Sequence, residues 1–237
     1  MLRTHYLIIL MSIFALALAP AGAAVLAPGD CVGLNNITCP GFVESFTGSP
    51  GTFITGKTVD ILNGGFNGPL ASAVFLNPNG TTLDFYYQFT NNVSSTQTIG
   101  VIANRDFAGF ITDVGTRKDA IGSFGSGPTA VTFGPGNADA THIDRFGGVV
   151  EFRFGTSSPY PFPPGQASST LIIKTDATAY TEGLTSLLAD FANDGAFTFQ
   201  PAASVPEAST FPLGAVGLTW ICCWSVQQRI RQRSHKP

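Results

Sequence analysis

One alternation of apolar and polar side chains, from Leu83 to Thr90, constrains the fold of this chain more than any other feature. One set of alternate residues is mainly apolar and consists of Leu83, Phe85, Tyr87 and Phe89. The residues between them are mainly polar and consist of Asp84, Tyr86, Gln88 and Thr90. Because successive side chains of a strand point to opposite faces, this period of two predicts a strand with one buried face.

The same alternation recurs along the middle of the chain, in residues 149–154 and 169–175. Weaker strand candidates lie at residues 42–46, 53–62, 71–76, 96–103, 107–112, 130–133 and 196–199, and the best helix candidate is a turn or two at residues 184–191. Turn residues such as Asn63-Gly64-Gly65 and Gly134-Pro135-Gly136 separate these segments. We therefore predict an all-β domain over residues 24–200, an antiparallel β-sandwich of the immunoglobulin-like or jelly-roll-like kind. Tyr86 to Asn92 resembles a strand and turn of immunoglobulin-like bacterial surface modules.

The N-terminus has the layout of a secretory signal peptide. Arg3 precedes an apolar run from Tyr6 to Leu18, and small residues follow at Ala21-Gly22-Ala23. This order predicts cleavage by signal peptidase after Ala23, which makes residues 1–23 the signal. The alternative is an uncleaved anchor, although the run is shorter than the ~20 residues of a spanning helix.

A second apolar run, residues 211–226, predicts a single transmembrane helix. Arg229, Arg231 and Arg233 follow it as a basic stop. At ~1.5 Å per residue the run reaches about 24 Å, which is short for a permanent span. The positive-inside rule keeps the basic tail in the cytoplasm and leaves residues 24–204 outside the inner membrane. Residues 201–204 are the expected linker.

Directly before the span stands the motif Val205, Pro206, Glu207. A Pro-Glu motif, a short apolar helix and an arginine cluster at the C-terminus resemble the PEP-CTERM sorting signal, over residues 205–233. Ala208 stands where that family usually has a second proline. The resemblance implies recognition by an exosortase, transient anchoring through the C-terminal helix, then release or attachment at the cell surface in bacteria that secrete exopolysaccharide. An ordinary single-span membrane protein, never processed, is the alternative, and a basic tail argues against a GPI signal.

Charge and cysteine content limit the chemistry that we expect of the exported part. Residues 24–204 carry fourteen acidic and seven basic side chains, a net charge of −7, which disfavours nucleic acid as a partner. In an oxidising compartment we expect Cys31 and Cys39 to form a disulfide, which stabilises the fold by roughly 2 to 3 kcal/mol on loop length. Zinc is the competing interpretation, but no histidine lies near them in the sequence.

No catalytic set is visible, and we assign no catalytic residue and no cofactor. His142, the single histidine of the exported part, has Asp139, Asp144 and Arg145 as neighbours, and we expect it at a strand edge or in a solvated turn. A loop starting at Asp190 fails as an EF-hand because Ala192 and Pro201 occupy ligand positions. A looser calcium site from Asp190, Asn193 and Asp194 is the remaining metal candidate.

Two functions follow for the domain. The first is a non-enzymatic cell-surface or matrix protein that binds polysaccharide or neighbouring surface partners. The second is a secreted glycan-active hydrolase or lectin-like module, which would use paired carboxylates and exposed aromatic rings such as Tyr86, Tyr160 and Tyr180. A cleft with two close carboxylates would favour the second function, and its absence the first.

Overall fold

The computed structural model describes residues 25–33, 39, 43–63, 65–155, 161–189 and 192–202. In chain order these residues form β1 (Val25–Leu26), β2 (Cys31–Gly33), β3 (Glu44–Ser45), β4 (Thr52–Asn63), β5 (Phe66–Leu76), β6 (Leu83–Asn91), β7 (Val101–Asn104), β8 (Thr112–Arg117), β9 (Gly122–Phe124), a 3-10 turn (Gly127–Thr129), β10 (Val131–Phe133), β11 (His142–Phe146), β12 (Val149–Arg153), β13 (Gln166–Ala167), β14 (Thr170–Thr175), β15 (Tyr180–Leu188) and β16 (Asn193–Pro201). The prediction of an all-β domain is confirmed.

The strands form two large sheets and one short ribbon. Sheet A has the order β1-β8-β14-β6-β5-β4, with β13 also paired to β6 and β3 also paired to β8. Sheet B has the order β16-β15-β7-β12-β11-β2, and β9 pairs with β10. The β3–β8 pair is parallel and the other strand pairs are antiparallel. The predicted antiparallel pairing is thus confirmed.

Both sheets contribute their inward faces to one hydrophobic core. Strand β6 supplies Phe85, Tyr87 and Phe89, none of them solvent-exposed, and sheet B supplies residues such as Ile143 and Phe152. The apolar half of the alternation at residues 83–90 therefore faces the core as predicted. Burial of such side chains stabilises a fold by roughly 1.5 to 3 kcal/mol each.

Hydrogen bonds at one side of the core tie strand β16 to sheet A. The Tyr87 hydroxyl donates to the Phe199 carbonyl at 2.5 Å, and the Phe199 N–H donates to the Ser72 hydroxyl at 3.2 Å. Burial alone raises the pKa of Tyr87. The last strand of the domain is consequently fixed to both sheets.

Arg145 of β11 joins the sheets at another point of the core. Its side chain points inward, and the residue is 2% exposed. All five guanidinium N–H groups have acceptors, the carbonyls of Leu26 (2.6 Å), Phe107 (2.9 Å), Phe110 (2.8 Å) and Gly147 (3.2 Å) and the Thr112 hydroxyl (2.9 Å). Leu26 and Thr112 belong to sheet A, so the side chain spans from one sheet to the other. Desolvation lowers the Arg145 pKa, against the opposing effect of Asp176.

The outer face of sheet A has a second, smaller core. The ribbon β9–β10 covers it with Phe124, Val131 and Phe133, which pack against Phe75 and Tyr86. Tyr86 is therefore only 5% exposed, although the sequence pattern places it on the polar face of β6.

Several sequence predictions need correction. Residues 184–191 show helical spacing of Leu184, Leu187 and Leu188, but β15 extends to Leu188 because β7 and β16 pair with both of its edges. Residues 107–112 form a turn that becomes strand only at Thr112, and residues 96–103 become strand only at Val101. Pro201, expected in the linker, is the last residue of β16, an edge strand where a missing N–H is tolerated.

Both targeting signals fall outside the described residues. The predicted signal peptide 1–23, the motif Val205, Pro206, Glu207, the span 211–226 and the basic stop stay predictions. Among the described residues, no helix has the length and apolar character needed to cross a bilayer.

Replacing Arg145 tests how much the link between the sheets contributes to stability. We expect Arg145→Ala to lower the free energy of unfolding by at least about 3 kcal/mol, because it removes five hydrogen bonds made by a buried side chain and opens a cavity. Equilibrium urea unfolding of the purified protein, followed by circular dichroism, measures this. Arg105→Ala removes the same charge from an exposed position and should change the free energy by less than about 0.5 kcal/mol. Equal effects of the two changes would contradict the assignment.

Candidate functional site

The register of sheet A places three charged residues in one row across its outer face. Asp113 of β8 is directly opposite Lys174 of β14, and Lys174 is directly opposite Asp84 of β6. Directly opposite side chains lie on the same face of a sheet, so Lys174 stands between the two aspartates in this row. The three strands are distant in sequence, and only the fold brings these residues together.

A cavity of about 250 Å³, which we call the outer cleft, opens beside this row. Its lining combines two cations, one carboxylate, an amide, a phenol and a phenyl ring. The lining residues are Phe46, Thr47, Gly48, Ser49, Gly51, Asn77, Pro78, Asp84, Tyr86, Arg117, Ile172 and Lys174. The cleft is thus polar, with two aromatic rings in its wall.

Phe46 closes one side of the outer cleft. The Lys174 ammonium lies 3.8 Å from the centroid of its ring, a cation–π contact. This position requires Gly115, since a Cβ atom there would approach the Phe46 ring to 2.7 Å and the Glu44 carbonyl oxygen to 2.7 Å. The glycine in β8 therefore allows β3 and Phe46 to lie against the sheet.

Asp84 is the carboxylate of the outer cleft, and the residue is 2% exposed. The Asn77 side-chain amide donates to both of its oxygens, at 3.0 and 3.1 Å. Desolvation raises the Asp84 pKa, while the Asn77 hydrogen bonds and the charge of Lys174 oppose the rise. Asn77 and Asp84 together present a fixed pair of donor and acceptor groups.

Arg117 supplies the second cation of the outer cleft. Its guanidinium donates to the Gly48 carbonyl. Among the described residues, neither Arg117 nor Lys174 has a carboxylate within ion-pair distance. Both positive charges are thus available to a ligand.

Asp113 belongs to the same row but is not among the residues that line the outer cleft. Desolvation raises its pKa to about 6, and the charges of Glu44 and Asp84 add to this effect while Lys174 opposes it. Its buried Oδ1 atom has no hydrogen-bond partner. Asp113 is therefore a partly buried acid whose ionised form is poorly stabilised.

A second polar cluster lies on the outer face of sheet B, beside the bond that joins Cys31 to Cys39. His142 and Asp144 share one face of β11, with 3.6 Å between the imidazole Nε2 and the Asp144 Oδ2. Arg153 contacts both Asp144 and Glu151, the latter at 2.5 Å. Desolvation lowers the His142 pKa, although the charge of Asp144 opposes the shift.

This cluster revises two expectations. His142 is 8% exposed and begins a strand paired on both sides, so the expectation of a strand edge or a solvated turn is wrong. Of the three neighbours named in the sequence, Asp144 alone contacts the imidazole. Asp139 instead accepts from the Ser169 hydroxyl at 2.5 Å, and Arg145 points into the core. His142 and Asp144 are far from Cys31 and Cys39 in the sequence, so the sequence alone did not predict that they lie beside the disulfide.

The other predicted site residues are dispersed. Tyr86 lines the outer cleft, while Tyr180 is 39% exposed and packs its ring edge against Phe199. The Asp194 Oδ1 accepts from the Gly195 N–H at 2.7 Å, and Asn193 is exposed. Asp190 and Tyr160 lie outside the described residues. With Asp190 outside the described residues, the calcium candidate stays a prediction.

Sequence reasoning missed Asn77, Arg117 and Lys174. The alternation of residues 169–175 does place Lys174 on the face opposite Ile173, but nothing in the pattern shows that β14 lies between β6 and β8. Comparisons with known proteins add nothing to this assignment, since no family model, curated protein or solved structure matches the chain.

Asp113 makes stability depend on pH in a defined direction. Because its folded pKa is about 6 and an unfolded aspartate titrates near ~3.9, the folded state binds more protons between these values and stability falls as pH rises through them. We expect Asp113→Asn to raise the free energy of unfolding at pH 7 by about 1 kcal/mol, a figure reduced for partial solvation.

Urea unfolding at pH 4 and pH 7 measures this difference. The gain should largely disappear at pH 4, where the wild-type side chain is mostly protonated in the folded state. Asp60→Asn, at an exposed position on β4, is the matched control and should give no such pH-dependent gain. A gain at pH 4 as large as at pH 7 would contradict the assigned titration.

Proposed function

We propose that this chain is an exported bacterial cell-surface or extracellular-matrix protein whose β-domain binds polysaccharide and whose C-terminal tail directs its sorting. The proposal for the tail is supported by the order of the Pro-Glu motif, the apolar run and the basic stop, which resembles a PEP-CTERM signal read by an exosortase. The proposal for the domain is supported by the outer cleft. The domain itself we assign to the β-sandwiches, immunoglobulin-like or jelly-roll-like, because two antiparallel sheets share one core.

The observation that supports binding most directly is the pair of cations in the outer cleft. Four of the seven basic residues of the domain have their charges engaged elsewhere, in the core or in ion pairs. These are Arg145, Arg153, Lys57 and Lys118. Arg117 and Lys174 instead line a cavity, where they outnumber the single carboxylate of Asp84. The cleft has a net positive lining within an acidic domain.

An acidic sugar residue fits this lining best. Arg117 and Lys174 would contact its carboxylate, since guanidinium and ammonium groups form charge-assisted hydrogen bonds to such groups. Asn77 and Asp84 would exchange hydrogen bonds with the hydroxyls, and the Phe46 and Tyr86 rings would contact the apolar face of the sugar. A polysaccharide that carries uronic acids is the proposed class of ligand.

The described residues give less support to the hydrolase alternative. Glycoside hydrolysis needs two carboxyl groups that face the same bond. Of the described residues that line the outer cleft, Asp84 alone is acidic, and Lys174 of β14 stands between it and Asp113 in the row across the sheet. A binding role requires no such pair.

Intact-mass measurement of the protein exported from a bacterium that has an exosortase tests the sorting proposal. We expect a chain that begins at Ala24 and has lost the residues after about Glu207. Replacing Pro206 and Glu207 together with alanine should leave the tail attached, whereas Ala208→Pro, which restores the usual family pattern, should be processed at least as completely. Exported protein that retains Arg233 would favour an unprocessed single-span membrane protein.

Binding of polygalacturonate to the exported protein, measured by calorimetry, tests the outer cleft, with neutral dextran as the comparison. We expect binding to polygalacturonate that weakens with salt, and about tenfold or greater loss for Arg117→Gln, because one charged hydrogen bond contributes roughly 1.5 to 3 kcal/mol. Arg105→Gln removes an equal charge from outside the cleft and should preserve the affinity. Equal binding of dextran, or equal loss in both variants, would contradict the proposed ligand class.

A further inference from the structure

The disulfide, Asp144 and His142 form a group whose chemistry is independent of the outer cleft. The two sulfurs and an Asp144 carboxylate oxygen all lie within 4.8 Å of one another. The His142 Nε2 atom is 3.6 Å from Asp144 Oδ2. Pairing of β2 with β11 produces this arrangement, since Cys31 is directly opposite Asp144 and Gly33 is directly opposite His142.

We propose that, when the bond between Cys31 and Cys39 is reduced, the two thiolates, the Asp144 carboxylate and the His142 imidazole bind one zinc ion. The site then holds either a disulfide or a metal ion, because zinc binds the two sulfurs as thiolates and the disulfide contains no thiolate. Two sulfurs, one nitrogen and one oxygen are ligand types that zinc accepts in a tetrahedral site. The oxidised form leaves no sulfur ligand for the ion.

The donor atoms lie close enough for zinc coordination after a rearrangement of side chains. With bonds of ~2.0 to 2.3 Å, the ligand atoms of a tetrahedral zinc site lie roughly 3.3 to 3.8 Å apart. The sulfurs and an Asp144 oxygen lie within 4.8 Å of one another, and the His142 imidazole lies beside Asp144 but outside this group. Zinc binding therefore requires the sulfurs to separate from bonding distance and the imidazole to turn toward them.

Arg153 makes the charge of the site favourable. Two thiolates and one carboxylate carry three negative charges, which zinc and the adjacent Arg153 guanidinium together balance. Among the described residues, both Arg153 and His142 contact Asp144 through Oδ2, which leaves Oδ1 open to the ion. Arg153 also contacts Glu151 and so holds the ligand carboxylate in place, as outer partners of metal ligands commonly do.

The change between the two forms is balanced by a dithiol reductant. The reductant gives two electrons and two protons to the bond between Cys31 and Cys39 and is itself oxidised to a disulfide. Zinc then displaces the two thiol protons to solvent, so that binding weakens as pH falls. Oxidation by a disulfide-forming partner releases the ion.

Zinc titration of the full chain in detergent tests the proposal. Cys222 and Cys223 are replaced with serine so that they cannot bind the metal. After reduction by a phosphine, competition with a chromophoric chelator should show one zinc ion per chain, and the oxidised chain should show none. We expect at least tenfold weaker binding for Cys39→Ser, Asp144→Asn and His142→Gln, while Asp119→Asn, which changes an exposed carboxylate, should bind as the parent does.

A second measurement separates metal binding from folding. Zinc should protect Cys31 and Cys39 of the reduced parent chain from alkylation, as determined by mass spectrometry. If Asp144→Asn does not fold by circular dichroism, Asp144→Glu, which keeps the carboxylate, and His142→Gln decide the result. Binding that is unchanged in His142→Gln and in the folded Asp144 variant lacking a carboxylate, or equal in oxidised and reduced chains, would overturn the proposal, as would no binding.

Discussion

The fold depends on one buried cation, Arg145, which forms no ion pair with a carboxylate within the part of the chain that the structure describes. The Arg145 guanidinium is surrounded by backbone carbonyls and one hydroxyl, and these acceptors come from both sheets and from the loop between β7 and β8. Removing an ion from water costs several kcal/mol, so a buried arginine is tolerated only when all of its donors are used. Here they are all used. Through Leu26 and Thr112, the same contacts help to fix the position of β1 and of the start of β8.

That constraint extends to the outer cleft. Strand β8 carries Asp113 and Arg117, and its first residue, Thr112, accepts a hydrogen bond from Arg145. The position of β8 beside β14 sets the row that includes Lys174, and Gly115 admits Phe46. A contact in the core therefore determines the geometry of groups on the opposite face of the sheet, because a strand presents its two faces in fixed register.

The sequence predicts a strand of this structure when the pattern of neighbouring residues shows which side chains are buried. Strand β6 was recognised because its apolar residues alternate, and β12 and β14 for the same reason. Strand β11 was missed because Asp144 and Arg145 are typical of a solvated segment, and most of the acceptors that allow Arg145 to be buried lie far along the chain. The outer cleft was missed for a related reason. Its residues each had an identifiable face, but strand order, which no local pattern specifies, brings them together.

Hydrogen bonds hold the last described strand of the domain to its neighbours. Phe199 of β16 bonds to both Tyr87 and Ser72, and the Ala202 N–H still donates to the Ala179 carbonyl. Loss of β16 would remove these links between the sheets and part of the core. Cleavage near Glu207, in contrast, breaks none of these hydrogen bonds. Cleavage at the proposed sorting motif would therefore leave the described hydrogen bonds of β16 intact.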